Sequence, residues 1–385
     1  MSWSTPQKRF ARLVYVVGFF VFVSFVAYSI PGFGSLVRAT DSRRGRFLDA
    51  IRNETLGVEK VFAINLPTRP DKRDSIILGS SLSGFHVDWI DGVKPDQISP
   101  LSYPYNWNRE HATSEYAARR AHVDAMQQIV DKGIGSAIIM EDDVDWDVTI
   151  KTQLQNLAIA LRALQGTGLD VSRSPYGDNW DIIWLGHCGI QCHTNDAFFL
   201  TPGDPTILPP HHFLPYWRDP PPFFRPDDTR LTCAASDGVC SVVYAVSYRG
   251  ARKILSALSV NPTGLAEQID IGAQFDVSLG RMCGINYLTC YTTYPSLTGG
   301  SATSSDIHAS GDSPEKGGTM PSSFGVLYST LLNVNRILSG EPTVHATWDD
   351  AKSVDVAPKD IPVLGGVLHV PGDGGLHAIP FDPPL

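Results

Sequence analysis

Four apolar residues, Ala137-Ile138-Ile139-Met140, run directly into Glu-Asp-Asp-Val-Asp-Trp-Asp, and few folds accommodate that junction. So short a wholly apolar run suits a central strand of a parallel sheet, buried on both faces. The acids that follow then stand at the strand's carboxyl end, where open α/β sheets gather ligands. Three adjacent carboxylates, Glu141, Asp142 and Asp143, repel one another, and withdrawing them from water is costly without a cation among them. Hard divalent ions take oxygen ligands and bridge to substrate phosphates, so the triplet reads as a metal–diphosphate site. The same acids also suit a helix start, because Asp145 and Asp147 precede a helical pattern over residues 149–164.

The surrounding chain supplies the rest of such a sheet. Residues 61–66 (VFAINL) form an apolar strand closed by Pro67, and TRPDKRDSIILG reads as a loop entering a helix. Val87 and Trp89, with Phe85, then mark a second strand at period two. Strand, helix and strand within about 30 residues make a βαβ unit with parallel strands. Thr113 or Ser114 is placed to cap a helix through Lys132, with Ala117, Ala121, Ala125 and Ile129 spaced by four and Gly133 as its stop. Residues 181–186 and 241–247 read as further strands, and 249–259 as a helix. The expected fold is α/β, a mostly parallel Rossmann-like sheet flanked by helices.

Residues 13–30, LVYVVGFFVFVSFVAYSI, carry no charge. At 1.5 Å per residue they reach about 27 Å, close to the hydrocarbon thickness of a bilayer, so a transmembrane anchor is expected. The alternatives are a signal peptide, whose apolar region is usually shorter and ends at a cleavage site, and a core helix. Lys8, Arg9 and Arg12 precede the span and Arg38, Arg43, Arg44 and Arg46 follow it, so charge does not orient it. The sequon Asn53-Glu54-Thr55 and six cysteines at 188, 192, 233, 240, 283 and 290 favour a lumenal, oxidising compartment. Local pairing (188 with 192, 233 with 240, 283 with 290) is the simplest disulfide pattern, with buried thiols as the alternative. No C-x2-C spacing points to zinc.

The layout is then a cytoplasmic tail (1–12), the anchor (13–30), a polar stem (31–59), a catalytic domain (60–340) and a tail without a clear reading (341–385). Nine prolines within residues 202–226 rule out continuous regular structure and suggest an ordered insertion or lid. Residues 298–320 are rich in Gly, Ser and Thr and are expected to be mobile. A formal net charge of −9 argues against a general nucleic-acid binder.

INLPTRPDKRD (64–74), GFHVDWIDGV (84–93), RAHVDAM (120–126), AIIMEDDVDWD (137–147) and WDIIWLG (180–186) follow in order. Together they resemble glycosyltransferase family 25, which includes lipooligosaccharide and collagen galactosyltransferases. YAVSYRGARKILSAL (244–258) and FDVSL (275–279) resemble its C-terminal half, and the anchor and extra segments are most similar to fungal members. The resemblance implies a GT-A-like fold and a metal-dependent inverting transferase. Such an enzyme would move a hexose, galactose from UDP-galactose, to a glycan or protein hydroxyl. The alternative is an inactive family member serving as a glycan- or nucleotide-binding scaffold. A third reading, a metal-dependent phosphohydrolase, lacks a histidine-rich second metal set.

By this resemblance Glu141, Asp142 and Asp143 fall on an acidic motif related to DxD and would hold Mn2+ or Mg2+ against the donor diphosphate. Asn65, Arg69 and Arg73 fall where the first βα loop meets the donor, although solvated loop charges explain the arginines equally well. His122 matches the histidine of the family's Ser-His pair, but Ala121 stands in place of the serine, so His122 is either a core or a functional residue. Asp276 is the candidate general base and Asp270 its competitor, either of which could instead cap a helix or pair with a cation. Trp180 and Asp181 would support the sheet, with Asp181 near the donor. Asp306 and His308 would close over the donor by analogy alone. The implied location is the Golgi or endoplasmic reticulum membrane, single-pass type II, with the catalytic domain lumenal.

Overall fold

β1 (Lys60–Asn65), α1 (Pro70–Ser83) and β2 (Asp88–Asp91) form the expected βαβ unit, with Phe62 opposite Asp88 and Asn65 opposite Asp91 in parallel register. These elements come from a computed structural model that describes residues 47–108, 110–167, 172–213, 225–260, 264–301 and 323–371, and the backbone of 376–379. α2 (Thr113–Asp131) leads into β3 (Ser136–Glu141), which pairs parallel with β1 on the side away from β2. The chain thus leaves β1 in two directions. The gap between the carboxyl ends of β1 and β3 is the point where such sheets bind ligands.

β4 (Val144–Trp146), α3 (Ile150–Leu164), β5 (Ile182–Gly186), β6 (Gly189–Cys192), β7 (Phe198–Thr201) and β8 (Arg230–Val239) come next. They are followed by β9 (Val243–Ser247), α4 (Tyr248–Leu255), α5 (Phe275–Gly284), β10 (Cys290–Tyr294), β11 (Thr298–Ser301) and β12 (Ser323–Phe324). The chain ends with α6 (Val334–Leu338), β13 (Val344–His345), β14 (Asp355–Val356), β15 (Gly366–His369) and β16 (Leu376–Ile379). The main sheet runs β16-β15-β7-β8-β10-β5-β9-β3-β1-β2. In its central part β2, β1, β3, β5 and β10 share one direction, and β9 is inserted antiparallel between β3 and β5. From β10 outward, β8, β7, β15 and β16 pair antiparallel. Hence the sheet is mixed, Rossmann-like at its centre, with an antiparallel extension that draws in residues past 341.

Successive residues of β3 serve two layers, as the period of a strand requires. Ala137 and Ile139 join Val123, Met126 and Ile129 of α2, Ile254 of α4 and Phe275 of α5 in one core. Ile138 and Met140 face the other layer beside Trp146, Ile150 and Leu154. Each fully buried aliphatic side chain of this kind contributes about 1.5–3 kcal/mol. The helix stops read from the sequence act as expected: Gly133 sits at φ 65° two residues past the end of α2, and Gly84 caps α1 at φ 68°. The start of α2 differs. Neither Thr113 nor Ser114 is its cap; Ala112 is, and Glu115 Oε2 accepts the Ala112 N–H.

Two of the three disulfides also differ from the local pattern. The bonds are Cys188–Cys240, Cys192–Cys233 and Cys283–Cys290, so only the last is as expected. The reason is the antiparallel pairing of β6 with β8, which lays Gly189 opposite Val239 and Cys192 opposite Ala235. Sequence neighbours on one strand cannot reach each other, whereas cross-strand partners can. Thr298–Ser301, in the Gly/Ser/Thr-rich segment, is a strand that pairs with β4. Among the described residues no helix is long and apolar enough to cross a membrane. The expected anchor at 13–30, Asp306, His308 and residues 214–224 of the proline-rich segment lie outside the described residues.

Candidate functional site

A cleft of about 600 Å³ opens at the switch point. It is lined by Ile64 and Leu66 at the end of β1 and by the triplet at the end of β3; α2 supplies Ser114 to His122, and Cys240–Val242 and Gln274–Asp276 complete the lining. The short strand β4 turns the chain back immediately after the triplet. This is why Asp145 and Asp147 are buried against Ser329 and Thr149 rather than presented to the cleft.

The three carboxylates separate into two groups. Asp142 Oδ1 and Asp143 Oδ2 both accept from Lys72 Nζ, at 2.8 and 3.2 Å, and Asp142 Oδ2 accepts from Asn65 Nδ2 at 2.9 Å. Asn65 ends β1 and Asp142 follows β3, so this hydrogen bond ties the two strands across the switch point. The Lys72 side chain is only 5% exposed and Asp142 13%, against 33% for Asp143. Burial alone would lower the Lys72 pKa, but the charges of Asp143 and Asp142 outweigh it and hold the ammonium. Burial pushes Asp143 upward despite Lys72.

Glu141 turns the other way. Its Oε1 accepts from Ser241 Oγ at 3.1 Å and lies 3.6 Å from His122 Nε2. Ser241 Oγ is also 3.2 Å from His122 Nε2, and His122 Nδ1 is 3.1 Å from the Tyr244 hydroxyl. Burial presses Glu141 upward, but His122 and Ser241 prevail and keep it below the usual glutamate range. His122 is 4% exposed and stacks on Phe275 at 4.7 Å. It is therefore both a core residue and a member of a polar line that reaches the cleft. The hydroxyl beside it comes from Ser241, 119 residues away, and not from the residue preceding it.

The remaining candidates divide clearly. Asp276 lines the cleft in the first turn of α5, and its Oδ2 accepts the Cys240 N–H at 2.7 Å. Cys240 holds a positive φ of 64° and is bonded to Cys188, which also lines the cleft. Asp270 is exposed, sits outside the cleft lining and offers its carbonyl to Ser278 Oγ. Arg69 and Arg73 are likewise absent from the lining: Arg69 pairs with Asp71, and Arg73 stacks 4.3 Å over Trp89. Asp181 is not near the cleft. It precedes β5 at the opposite end of the sheet, fully buried, bound by Arg249 and Lys253 and by the Thr289 N–H.

The residue that sequence reasoning passed over is Lys72. A signal was present, because Lys72, Ile76, Gly79 and Ser80 form the buried stripe of α1 at helical spacing. No comparable signal marks Ser241, whose role depends on the antiparallel insertion of β9. The donor set at Asp142 and Asp143 consists of hard oxygens already gathered about one cation, the Lys72 ammonium, so it fits a divalent ion in chemical type. Glu141, turned toward Ser241, does not converge with them.

No family model matches the chain. Over 156 residues, 36% of its length, it is 27% identical to a Danio rerio protein named Procollagen galactosyltransferase 1, and covers 23% of that protein. It is 26% identical over 148 residues, 35% of its length, to the Bos taurus Probable inactive glycosyltransferase 25 family member 3, covering 23% of it. It is 24% identical over 165 residues, 40% of its length, to the Homo sapiens Inactive glycosyltransferase 25 family member 3, covering 26% of it. The matched part thus spans about a quarter of the length of these relatives. Of these relatives one is named for a galactosyltransferase activity, and the other two are named as glycosyltransferase 25 family members and as inactive.

Proposed function

We propose that this chain is a glycosyltransferase that binds a nucleotide-sugar donor across the β1–β3 cleft and passes its hexose to a hydroxyl of a glycan or protein. The donor assigned on this reading is UDP-galactose. The observation that carries the proposal is the buried ammonium of Lys72 between Asp142 and Asp143 at the topological switch point. Such a mixed site can meet a diphosphate with positive charge while anchoring a metal through its acids.

Asp142 and Asp143 would hold Mn2+ or Mg2+, which when bound supplies Lewis-acid stabilisation of the departing diphosphate. Lys72 would donate to phosphate oxygens through charge-assisted hydrogen bonds. Asp276 would take the proton of the acceptor hydroxyl as that oxygen bonds to the anomeric carbon. The bond to the diphosphate oxygen breaks in the same step, so UDP leaves and the configuration inverts. The Cys240 N–H bond on Asp276 Oδ2 fixes the carboxylate's orientation. Glu141, Ser241, His122 and Tyr244 stiffen the wall behind it.

Three disulfides support an oxidising compartment, and the sequon asparagine, Asn53, is exposed. We infer residence in the Golgi or endoplasmic reticulum, with residues 13–30 as a type II anchor and the catalytic unit lumenal. A second reading, an inactive nucleotide- or glycan-binding scaffold, draws support from Lys72. Its ammonium already offsets one of the two charges of the acidic pair, so the site is partly compensated with no metal. Release of UDP from a panel of UDP-sugars, with Mn2+ present, separates the two. Turnover strongest with UDP-galactose supports the transferase. UDP binding without turnover of any sugar supports the scaffold, and absence of UDP binding overturns the transferase and the nucleotide-binding form of the scaffold.

A further inference from the structure

We propose that His211, His212 and Asp350 form a metal site for a Zn2+-class ion, clipping residues 202–213 to the β13–β14 hairpin. This inference is independent of the donor cleft, whose lining includes none of the three. The histidines lie in the helical turn Pro210–His212, and Asp350 lies in the loop between β13 and β14, 138 residues from His212. His211 Nε2 is 2.5 Å from Asp350 Oδ2, and His212 Nε2 is 2.8 Å from Oδ1 and 3.1 Å from Oδ2. One ligand atom from each of the three lies within 4.8 Å of the others, the one such grouping of His, Cys, Asp and Glu among the described residues.

The donors suit the ion in type and in reach. Two imidazole nitrogens and one carboxylate are borderline ligands that favour zinc and its neighbours, whereas Mg2+ and Ca2+ prefer oxygen alone. Bonds of about 2.0 Å in a tetrahedral site place neighbouring donors roughly 3.3 Å apart. The histidine–carboxylate separations need to open by only a few tenths of an ångström up to about 0.8 Å, which exposed side chains allow, and the two imidazole nitrogens lie within 4.8 Å of each other. The supports are fixed on both sides. His212 stacks on Trp348 at 4.6 Å and 12°, and Leu208 and Phe213 share a core with Val344, Ala346 and Ala351. The half-exposed positions of His211 and Asp350 leave room for water to complete the coordination. Such an ion would fasten a proline-rich segment whose own backbone cannot pair regularly.

The test is titration of the full-length chain, free of any histidine tag, with Zn2+ alone by calorimetry, and with Co2+ for the visible absorption of a four-coordinate site. One Zn2+ is expected to bind at His211, His212 and Asp350, apart from any ion held by Asp142 and Asp143. His212→Ala and Asp350→Asn should each weaken it by at least about the tenfold that losing an outer-shell partner costs, and Asp143→Asn should leave it unchanged. Asp350 is exposed, so its variant keeps the test valid if His212→Ala fails to fold. No Zn2+ uptake by the wild type would leave only imidazoles hydrogen-bonded to a carboxylate and overturns the proposal. Uptake that survives Asp350→Asn and is lost in Asp143→Asn overturns it as well.

Discussion

Lys72 Nζ lies 2.8 Å from Asp142 Oδ1, a contact between helix α1 and the turn after β3 that spans 70 residues of chain. It makes the acidic triplet tolerable at the end of a buried strand and puts a positive charge where a diphosphate would lie. Removing one member of a buried pair leaves the other uncompensated, at a cost of about 3–5 kcal/mol. Lys72→Met is therefore expected to lose about that much stability at pH 7. The loss should shrink near pH 4, where the freed carboxylates take up protons. Denaturant unfolding at the two pH values checks this, and Lys72→Met combined with Asp142→Asn should recover part of the loss.

Asp147 gives the pH dependence of stability a specific source. Burial drives its pKa up to about 6 from 3.8, even though Thr149 and the Tyr328 N–H hydrogen-bond it. The folded protein thus binds this proton more tightly than the unfolded chain does. The stabilisation it brings is complete below about pH 4 and is lost as pH rises through about 6. A displacement of this size corresponds to about 3 kcal/mol. Relative to Asp147→Asn, the wild type should lose about that much stability between pH 4 and pH 7. A stability difference that stays constant over this range would contradict the assignment.

The base assignment separates two carboxylates six residues apart. Asp276 faces the cleft and Asp270 does not. Asp276→Asn should lower kcat for transfer by about 100-fold or more while leaving UDP affinity unchanged, as expected when a general base is removed. Asp270→Asn should stay within about twofold of the wild type, since it removes no catalytic group. Steady-state kinetics with a UDP titration beside them measures both.

The Cys188–Cys240 bond ties the backbone N–H that holds Asp276 to the strand after Gly186. Its 52-residue separation gives it a chain-entropy contribution of about 4 kcal/mol, against about 2 kcal/mol for Cys283–Cys290 with a separation of seven. Replacing both members of the first pair by serine should reduce kcat as well as stability. The same change in the second pair should reduce stability alone. Thermal unfolding and donor turnover of the two double variants decide between them.

What could be read from the sequence was whatever repeats within a few residues. The short apolar run of β1, the four-residue spacing of α2 and the abrupt end of β3 are local patterns, and each lies where expected. Lys72 was legible in the stripe it shares with Ile76, but its neighbours Arg69 and Arg73 drew the phosphate reading because their side chains suit it better. Asp181 was expected to support the sheet and, by resemblance, to lie near the donor; the direction of β5 puts it at the end of the sheet away from the cleft, where it serves as a buried support. The partners of Cys188 and Cys192, and the hydroxyl that Ser241 brings to His122, follow from how β6, β8 and β9 pair across the sheet. Pairing of that range leaves no periodic trace. β13 and β14, two residues each, are too short to show one.

The central claim, that Lys72, Asp142 and Asp143 receive the diphosphate of a nucleotide-sugar donor with a divalent ion, is tested most directly by titrating the purified chain with UDP, with and without Mn2+, alongside Asp143→Asn. The account predicts binding that depends on Mn2+ and weakens at least about tenfold in the variant, the scale expected when a metal site is impaired. UDP binding of equal strength without the metal and in Asp143→Asn would contradict it.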